Sequence, residues 1–386
     1  MRFKKIIGKI HLWLGLASGL IVLFLGITGC ILAFENEIRS LTQPYWFVKE
    51  ENKPLLPPTQ LKQLAEKHLD GKKANSVEYG EAGRSATVMY YDADNYKMLF
   101  LNPYNGDVLK VVNMNRDFFR VVVNGHFYLW LPPKIGQPIV ASATLIFFIM
   151  LITGIILWWP KNRAARKQRF SVKWNAKWKR VNYDLHNVFG FYMTWVVIFI
   201  VITGLVWGFE WFEKSVYWVS SGGKEMPAYY SPPSDTLQMA KSNAGVTDNV
   251  WQNMLPKKKT KESLSVSFPS SNDASLDVSI NHKPGTYYNM DNYYFDQYTG
   301  KELKSKGTYA GAFANASVAD KIKRMNYDIH VGAVLGLPGK IMAFFASLIA
   351  ASLPVTGFYI WWGRKKKKKS AVTVSEKVTD KKLRLT

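Results

Sequence analysis

Four stretches of this chain, Leu12 to Phe34, Ile135 to Trp159, Asn187 to Phe209 and Ile341 to Trp362, contain no Asp, Glu, Lys or Arg. At about 1.5 Å per helical residue each is long enough to cross roughly 30 Å of hydrocarbon. In lipid, a helix satisfies its backbone hydrogen bonds within itself, so these stretches predict four membrane-spanning helices. The first follows a short basic leader, but its apolar run exceeds a signal-peptide core and no small-residue cleavage site closes it, so it reads as an uncleaved helix. The rest is polar enough (20% charged residues against 48% hydrophobic) to build soluble parts between the spans.

Charge orients the helices. Residues 1–10, 160–185 and 363–386 hold four, nine and ten Lys and Arg, which is 23 of the 51 in the chain, against three of the 28 acids. The positive-inside rule makes these segments cytoplasmic. The intervening segments, about 35–134 and 210–340, then lie outside, in the periplasm if the cell is Gram-negative. Directly after a span, the run "RKKKKK" at 364–369 reads as a topology anchor on anionic lipid and not as a nucleic-acid site. Trp158, Trp159, Trp361 and Trp362 end spans two and four, as interfacial belts do. The single cysteine, Cys30, permits neither an intrachain disulfide nor a thiolate cluster.

The chain also repeats itself. "HLWLGLASGLIVLFLGITGCILAFE" (11–35) lies over "HNVFGFYMTWVVIFIVITGLVWGFE" (186–210) without a gap, sharing His, Gly at +4, Ile-Thr-Gly at +16 to +18 and Phe-Glu at the end. Gly136 and Gly339 each stand 17 residues before Thr153-Gly154 and Thr356-Gly357, and each Thr stands five before a Trp pair. The expected fold is therefore a membrane protein of four transmembrane α-helices in two parallel repeats, related by a pseudo-two-fold along the membrane normal. Each repeat would carry a small outer α+β domain. "PPTQLKQLAEKHL" (57–69) reads as a helix, "ATVMYYD" and "YKMLFLNPYNGDVLKVV" as strands, and the turn at 102–107 has a partner at 296–301. Residues 220–262, rich in Ser, Pro, Gly and Lys, read as an irregular insertion in the second domain.

Four of the six histidines, His11, His126, His186 and His330, occupy repeated positions, whereas His68 and His282 have no counterpart. Symmetry pairs His11 with His186 at the inner edge and His126 with His330 at the outer edge. A lone imidazole at a membrane edge is usually an amphipathic anchor. Four at duplicated positions offer two facing pairs, and two neutral imidazoles projecting between helices are what a six-coordinate haem iron needs. Gly15 and Gly190, one turn beyond the inner histidines, would admit a flat macrocycle, or else serve close helix packing. Arg120, Arg180 and Arg324, each six residues before a histidine, are candidate partners for haem propionates, with topology anchoring an equal alternative for Arg180. The phrase "NYDLH" at 182–186 returns as "NYDIH" at 326–330, where the Asn-Tyr-Asp triplet would orient the histidine or cap its helix. Without Cys-x-x-Cys-His any haem is non-covalent, b-type, and two imidazoles per edge make an incomplete zinc set.

The two His-x3-Gly starts with Thr-Gly at +17, the His126 and His330 segments, the Trp-Trp ends and the turns "NPYNGDVL" and "DQYTGKEL" resemble the PepSY-associated transmembrane helix family. The resemblance covers nearly the whole chain except the basic tail and residues 220–262. It implies a bacterial inner-membrane protein with two PepSY-like domains, haem b at the four repeated histidines, and electron delivery to a periplasmic ferric siderophore in iron uptake. PepSY domains are also associated with peptidase inhibition, so a haem-free sensor or peptidase-regulating binding protein is the alternative.

Elementary chemistry favours redox work. No Asp, Glu, Lys, Arg or His lies inside a span, so a proton-coupled or charged-substrate path lacks its usual equipment, while electrons need none. No Gly-x-Gly-x-x-Gly fingerprint is present, so the expected donor is a quinol or a separate reductase. The expected acceptor is Fe(III) in a hard-oxygen chelate beside the outer domains.

Overall fold

The structure, a computed structural model, describes residues 2–160, 162, 166, 169–241 and 245–383, with side chains through Arg364. Three cations of the 160–185 loop (Lys161, Arg163 and Lys167) and the side chains of the basic tail lie outside the described residues.

Helix α1 (Arg2–Ala33) runs into a short α2 (Glu35–Thr42) and then α3 (Pro58–Glu66). Four strands follow: β1 (Ser76–Tyr79), β2 (Ala86–Tyr91), β3 (Tyr96–Leu101) and β4 (Val108–Asn113). The chain returns through α4 (Phe118–Tyr128) to α5 (Pro133–Trp158). Its second half has the same order: α6 (Trp178–Gly208), α7 (Glu210–Ser220), α8 (Val246–Met254), then β5 (Ser263–Ser267), β6 (Leu276–Asn281), β7 (Met290–Phe295) and β8 (Glu302–Leu303). It closes with α9 (Val318–Arg324), α10 (Asn326–His330) and α11 (Gly336–Leu383). Helices α1, α5 and α6 and the 333–364 segment are long and apolar enough to cross a membrane, and they contain the four expected spans. Each of these helices packs on two others, α1 on α5 and α11, α6 on α5 and α11, so they form a closed four-helix bundle.

The strands do not form two separate domains. They join in one antiparallel eight-stranded sheet, ordered β4-β3-β2-β1-β5-β6-β7-β8, with β1 and β5 paired at its centre from Ser76↔Ser267 to Tyr79↔Leu264. Fusion buries the edge that each four-stranded half would otherwise expose. Alternation then sorts the two faces. Val77, Val88, Leu99, Leu264, Val266 and Val278 point to a single core shared by both halves and covered by α3 and α8. Glu78, Thr87, Met98 and Phe100 point the other way, toward the bundle.

Helix α8 corrects the expectation for residues 220–262. It supplies Val246, Val250, Trp251 and Met254 to the shared core and lies beside α3, where Asp248 accepts hydrogen bonds from the backbone and hydroxyl of Thr59. Its low apolar content hid it, because only one face of a nine-residue helix is buried. The two predicted turns do close hairpins, β3–β4 and β7–β8, with Gly106 and Gly300 in the left-handed conformation at φ +80° and +69°.

Candidate functional site: four histidines clasped by Thr-Gly pairs

Each of the four repeated histidines makes the same contact with a neighbouring helix. Nδ1 of His11 lies 2.9 Å from the Thr153 hydroxyl, Nδ1 of His126 2.7 Å from Thr28, Nδ1 of His186 2.9 Å from Thr356, and Nδ1 of His330 2.9 Å from Thr203. All four threonines open the Thr-Gly pairs seen in the sequence. The contacts are reciprocal: α1 gives His11 to α5 and takes His126 from α4, while α6 gives His186 to α11 and takes His330 from α10. The glycine after each threonine makes room for the ring. A methyl group there would stand 3.7 Å from Cε1 of His126 at Gly29, 3.5 Å from His11 at Gly154, 3.4 Å from His330 at Gly204 and 3.2 Å from His186 at Gly357.

The donors fix the proton. Each threonine hydroxyl donates to its own helix, to the carbonyls of Phe24, Ile149, Phe199 and Ser352 at 2.8 to 3.0 Å. Its one proton being committed, the hydroxyl accepts from the imidazole, which assigns N–H to Nδ1 and leaves a lone pair on Nε2. His330 Nδ1 also lies 2.9 Å from the Ile200 carbonyl, which can only accept.

The Asn-Tyr-Asp triplets complete the clasp in the second half. Asn182 donates to the Thr356 carbonyl and Asn326 to the Thr203 carbonyl, both at 3.1 Å, so asparagine and histidine, four residues apart on one helix face, grip one threonine by its two oxygens. The buried aspartates anchor adjacent loops: Asp184 accepts from Arg180 Nε and the Lys173 backbone, Asp328 from the Tyr287 backbone. The triplet therefore positions the histidine and does not cap its helix.

The outer pair is brought together. His126 and His330 have ring centroids 6.2 Å apart with planes at 75°. Two metal–imidazole bonds of about 2.0 Å plus two half-rings span about 6 Å, so the pair has the separation and the free Nε2 atoms that bis-imidazole ligation of haem iron requires. Both line a cavity of about 1260 Å³ that runs from the bundle, past Val22, Phe147 and Val201, to the underside of the sheet at Glu78 and Phe100. That volume exceeds the usual small-molecule site and leaves room beyond a flat macrocycle. His11 and His186 sit at the opposite end of the bundle, on α1 and α6, and are not among the cavity-lining residues. Seventeen residues of α1 separate His11 from Thr28, about 25 Å along the axis.

The expected supporting residues divide. Arg120 lines the cavity, with its guanidinium 5.4 Å from the Tyr96 ring, and is available to an anionic group there. Arg180 is held by Asp184. Arg324 is not available: it is buried, and its guanidinium donates to the carbonyls of Thr308 and Ala310, stitching the 308–310 loop to α9. Gly15 and Gly190 face the side-chain ends of Met150 and Leu353 on the neighbouring helices. Composition and spacing overlooked Arg39 and Arg84. Both line the cavity; buried Arg39 pairs with Glu35 and with Asp117, the N-cap residue of α4, and so pins the His126 helix. Arg39 did carry a repeat signal, since it stands four residues after Glu35 as Lys214 stands four after Glu210, each an ion pair.

No curated protein matches the chain. The family model of the PepSY-associated TM region matches residues 9–364, from just before His11 to the end of the last apolar stretch, and the chain is a membrane protein belonging to that family.

Proposed function

We propose that this protein is a bacterial inner-membrane haem b electron-transfer protein, carrying electrons from a quinol or a separate reductase on the cytoplasmic side to a periplasmic ferric chelate such as a ferric siderophore. The observation that carries the reading is the fourfold His–Thr clasp, which engages Nδ1 of each histidine and leaves Nε2 as the ligating nitrogen at two levels of one bundle. On this reading the two halves are parallel repeats, the sheet is periplasmic and both termini are cytoplasmic. His126 and His330 hold one haem b, and His11 and His186 a second. Bound there, haem b supplies reversible one-electron chemistry.

The protein's own residues do the rest. The Thr-Gly pairs orient the imidazoles and clear space for them. The uncharged spans exclude water and ions between the two levels. Arg120, on the cavity wall, would be the cation available to a haem propionate. The cavity between His126, His330 and the sheet gives an acceptor a place within reach of the outer pair.

The test is reduction of a ferric hydroxamate enclosed in the lumen, the periplasmic side, of inverted membrane vesicles supplied from outside with a quinol-generating substrate. Vesicles with the wild-type protein should reduce it faster than vesicles lacking it, and His330→Ala should remove the difference. Equal rates in all three vesicle types would reject the reductase reading.

A further inference from the structure

The four clasps are not equal, and the inequality follows the two halves of the chain. For His126 and His11 the recorded Nδ1 partner is one threonine hydroxyl, Thr28 or Thr153. His330 has the Thr203 hydroxyl and also the Ile200 carbonyl, both at 2.9 Å. His186 has the Thr356 hydroxyl at 2.9 Å. Ile200 lies three residues before Thr203, so the second acceptor of His330 belongs to the same turn of helix. His186 and His330 are also the two histidines whose threonine is gripped from behind by Asn182 or Asn326.

A hydroxyl and a backbone carbonyl can each accept from Nδ1, so His330 has two acceptors where His126 has one. Hydrogen bonds from the distal ring nitrogen of a metal-bound histidine fix its tautomer and raise its basicity, and their loss typically costs 10–100-fold in metal affinity. We propose that the Thr-Gly threonines are the positioning residues of the haem ligands, and that the outer pair is unequal: His330 is held by the Thr203 hydroxyl and the Ile200 carbonyl, His126 by Thr28 alone. The outer pair then has one fixed and one yielding imidazole, and the yielding one comes from the first half. The proposal rests on the haem reading above.

The test compares Thr28→Val with Thr203→Val in detergent-purified protein. Valine keeps the shape and removes the acceptor. Without Thr28, the His126 Nδ1 proton has no partner, and the imidazole gains by moving the proton to Nε2, where it blocks ligation. Thr203→Val leaves His330 its carbonyl. Haem transfer to an excess of a haem-scavenging apoprotein should speed up by about 10- to 100-fold in Thr28→Val and by less than about 10-fold in Thr203→Val. The outer-level midpoint potential should rise in Thr28→Val, because a less basic ligand stabilises the ferric state less. Thr28→Ser, which keeps the hydroxyl, should restore both readouts. Melting of the haem-free proteins separates folding from ligation, since a structural role alone would move melting and leave the potential in place.

Equal effects of the two valine variants would overturn the asymmetry. A serine variant that behaves like the valine one would show that the hydroxyl does not by itself hold the ligand and overturn the positioning claim. Wild-type protein without haem would instead reject the underlying cofactor reading, an outcome seen before any variant is made.

Discussion

At the scale of single residues, the histidine positions were legible because they recur in a chain with few histidines. Their partners were only half legible. The Thr-Gly pairs were visible as repeats, yet nothing in a linear sequence says that Thr28 belongs to His126, 98 residues away, and not to His11 on the same helix. The arginines show the opposite failure, since equal spacing suggested equal roles. Arg324 is consumed by loop carbonyls, whereas Arg120 stays at the cavity wall.

Two predictions belong to this scale. His186→Ala should leave the outer haem reducible by dithionite in detergent but only slowly reducible by an inner-face donor in vesicles. His330→Ala should retain an inner haem that fills with electrons and passes few outward. Unchanged donor-driven reduction of the outer haem in His186→Ala would mean that electrons enter from the sheet side. Asn326→Ala removes the hydrogen bond to the Thr203 carbonyl. It should cost about 1 kcal/mol of stability in chemical denaturation, and an unchanged unfolding midpoint would show that Asn326 contributes nothing to the clasp.

At the scale of elements, the corners that bring α4 onto α5 and α10 onto α11 position the outer pair. Gly136 sits so close to Tyr128 that a methyl group would fall 2.0 Å from its carbonyl oxygen, and Gly339 meets the Gly332 carbonyl at 2.1 Å. Both are backbone contacts that cannot rotate away. Leu129 and Trp130 take left-handed conformations to complete the first corner, with the Trp130 indole donating to the Val121 carbonyl. Gly136→Ala should therefore destabilise by about 1–3 kcal/mol or more, as overpacking does. It should also loosen the outer haem before the inner one. Equal loss of both would point to general unfolding.

On the sheet, His282 lies between Glu262 and Asp291, 2.9 Å from each carboxylate. Burial alone would lower its pKa, but hydrogen bonds to Asp291 and Glu262 outweigh this and hold it above the ordinary histidine value. A raised folded-state pKa stabilises fully below the unfolded value, about 6.5, and the gain fades as pH rises through the folded value. Wild type should melt above His282→Gln at pH 5.5, with the gap closing by pH 9. A gap that widens with pH would show the histidine to be neutral in the fold.

At the scale of the whole molecule, spans and hairpins could be read directly because hydropathy and turn chemistry are local signals. The fusion of two four-stranded halves into one sheet could not, since the β1–β5 pairing joins residues nearly 190 positions apart and neither strand is marked as a centre by its own sequence. The single sheet also roofs one cavity above the outer histidine pair.

Orientation is testable at the same scale. Single cysteines placed at exposed positions in 57–110 and 290–310, in a Cys30→Ala background, should react with an impermeant thiol reagent on intact spheroplasts. Labelling that needs lysis would invert the topology.

The central claim, that the clasped histidines are haem ligands in two pairs, is tested most directly by a pyridine haemochrome titration of purified protein against its own concentration. Two paired sites predict two b haems per chain, falling to one in either His186→Ala or His330→Ala. A ratio near zero in wild-type protein purified from haem-replete cells would contradict the claim.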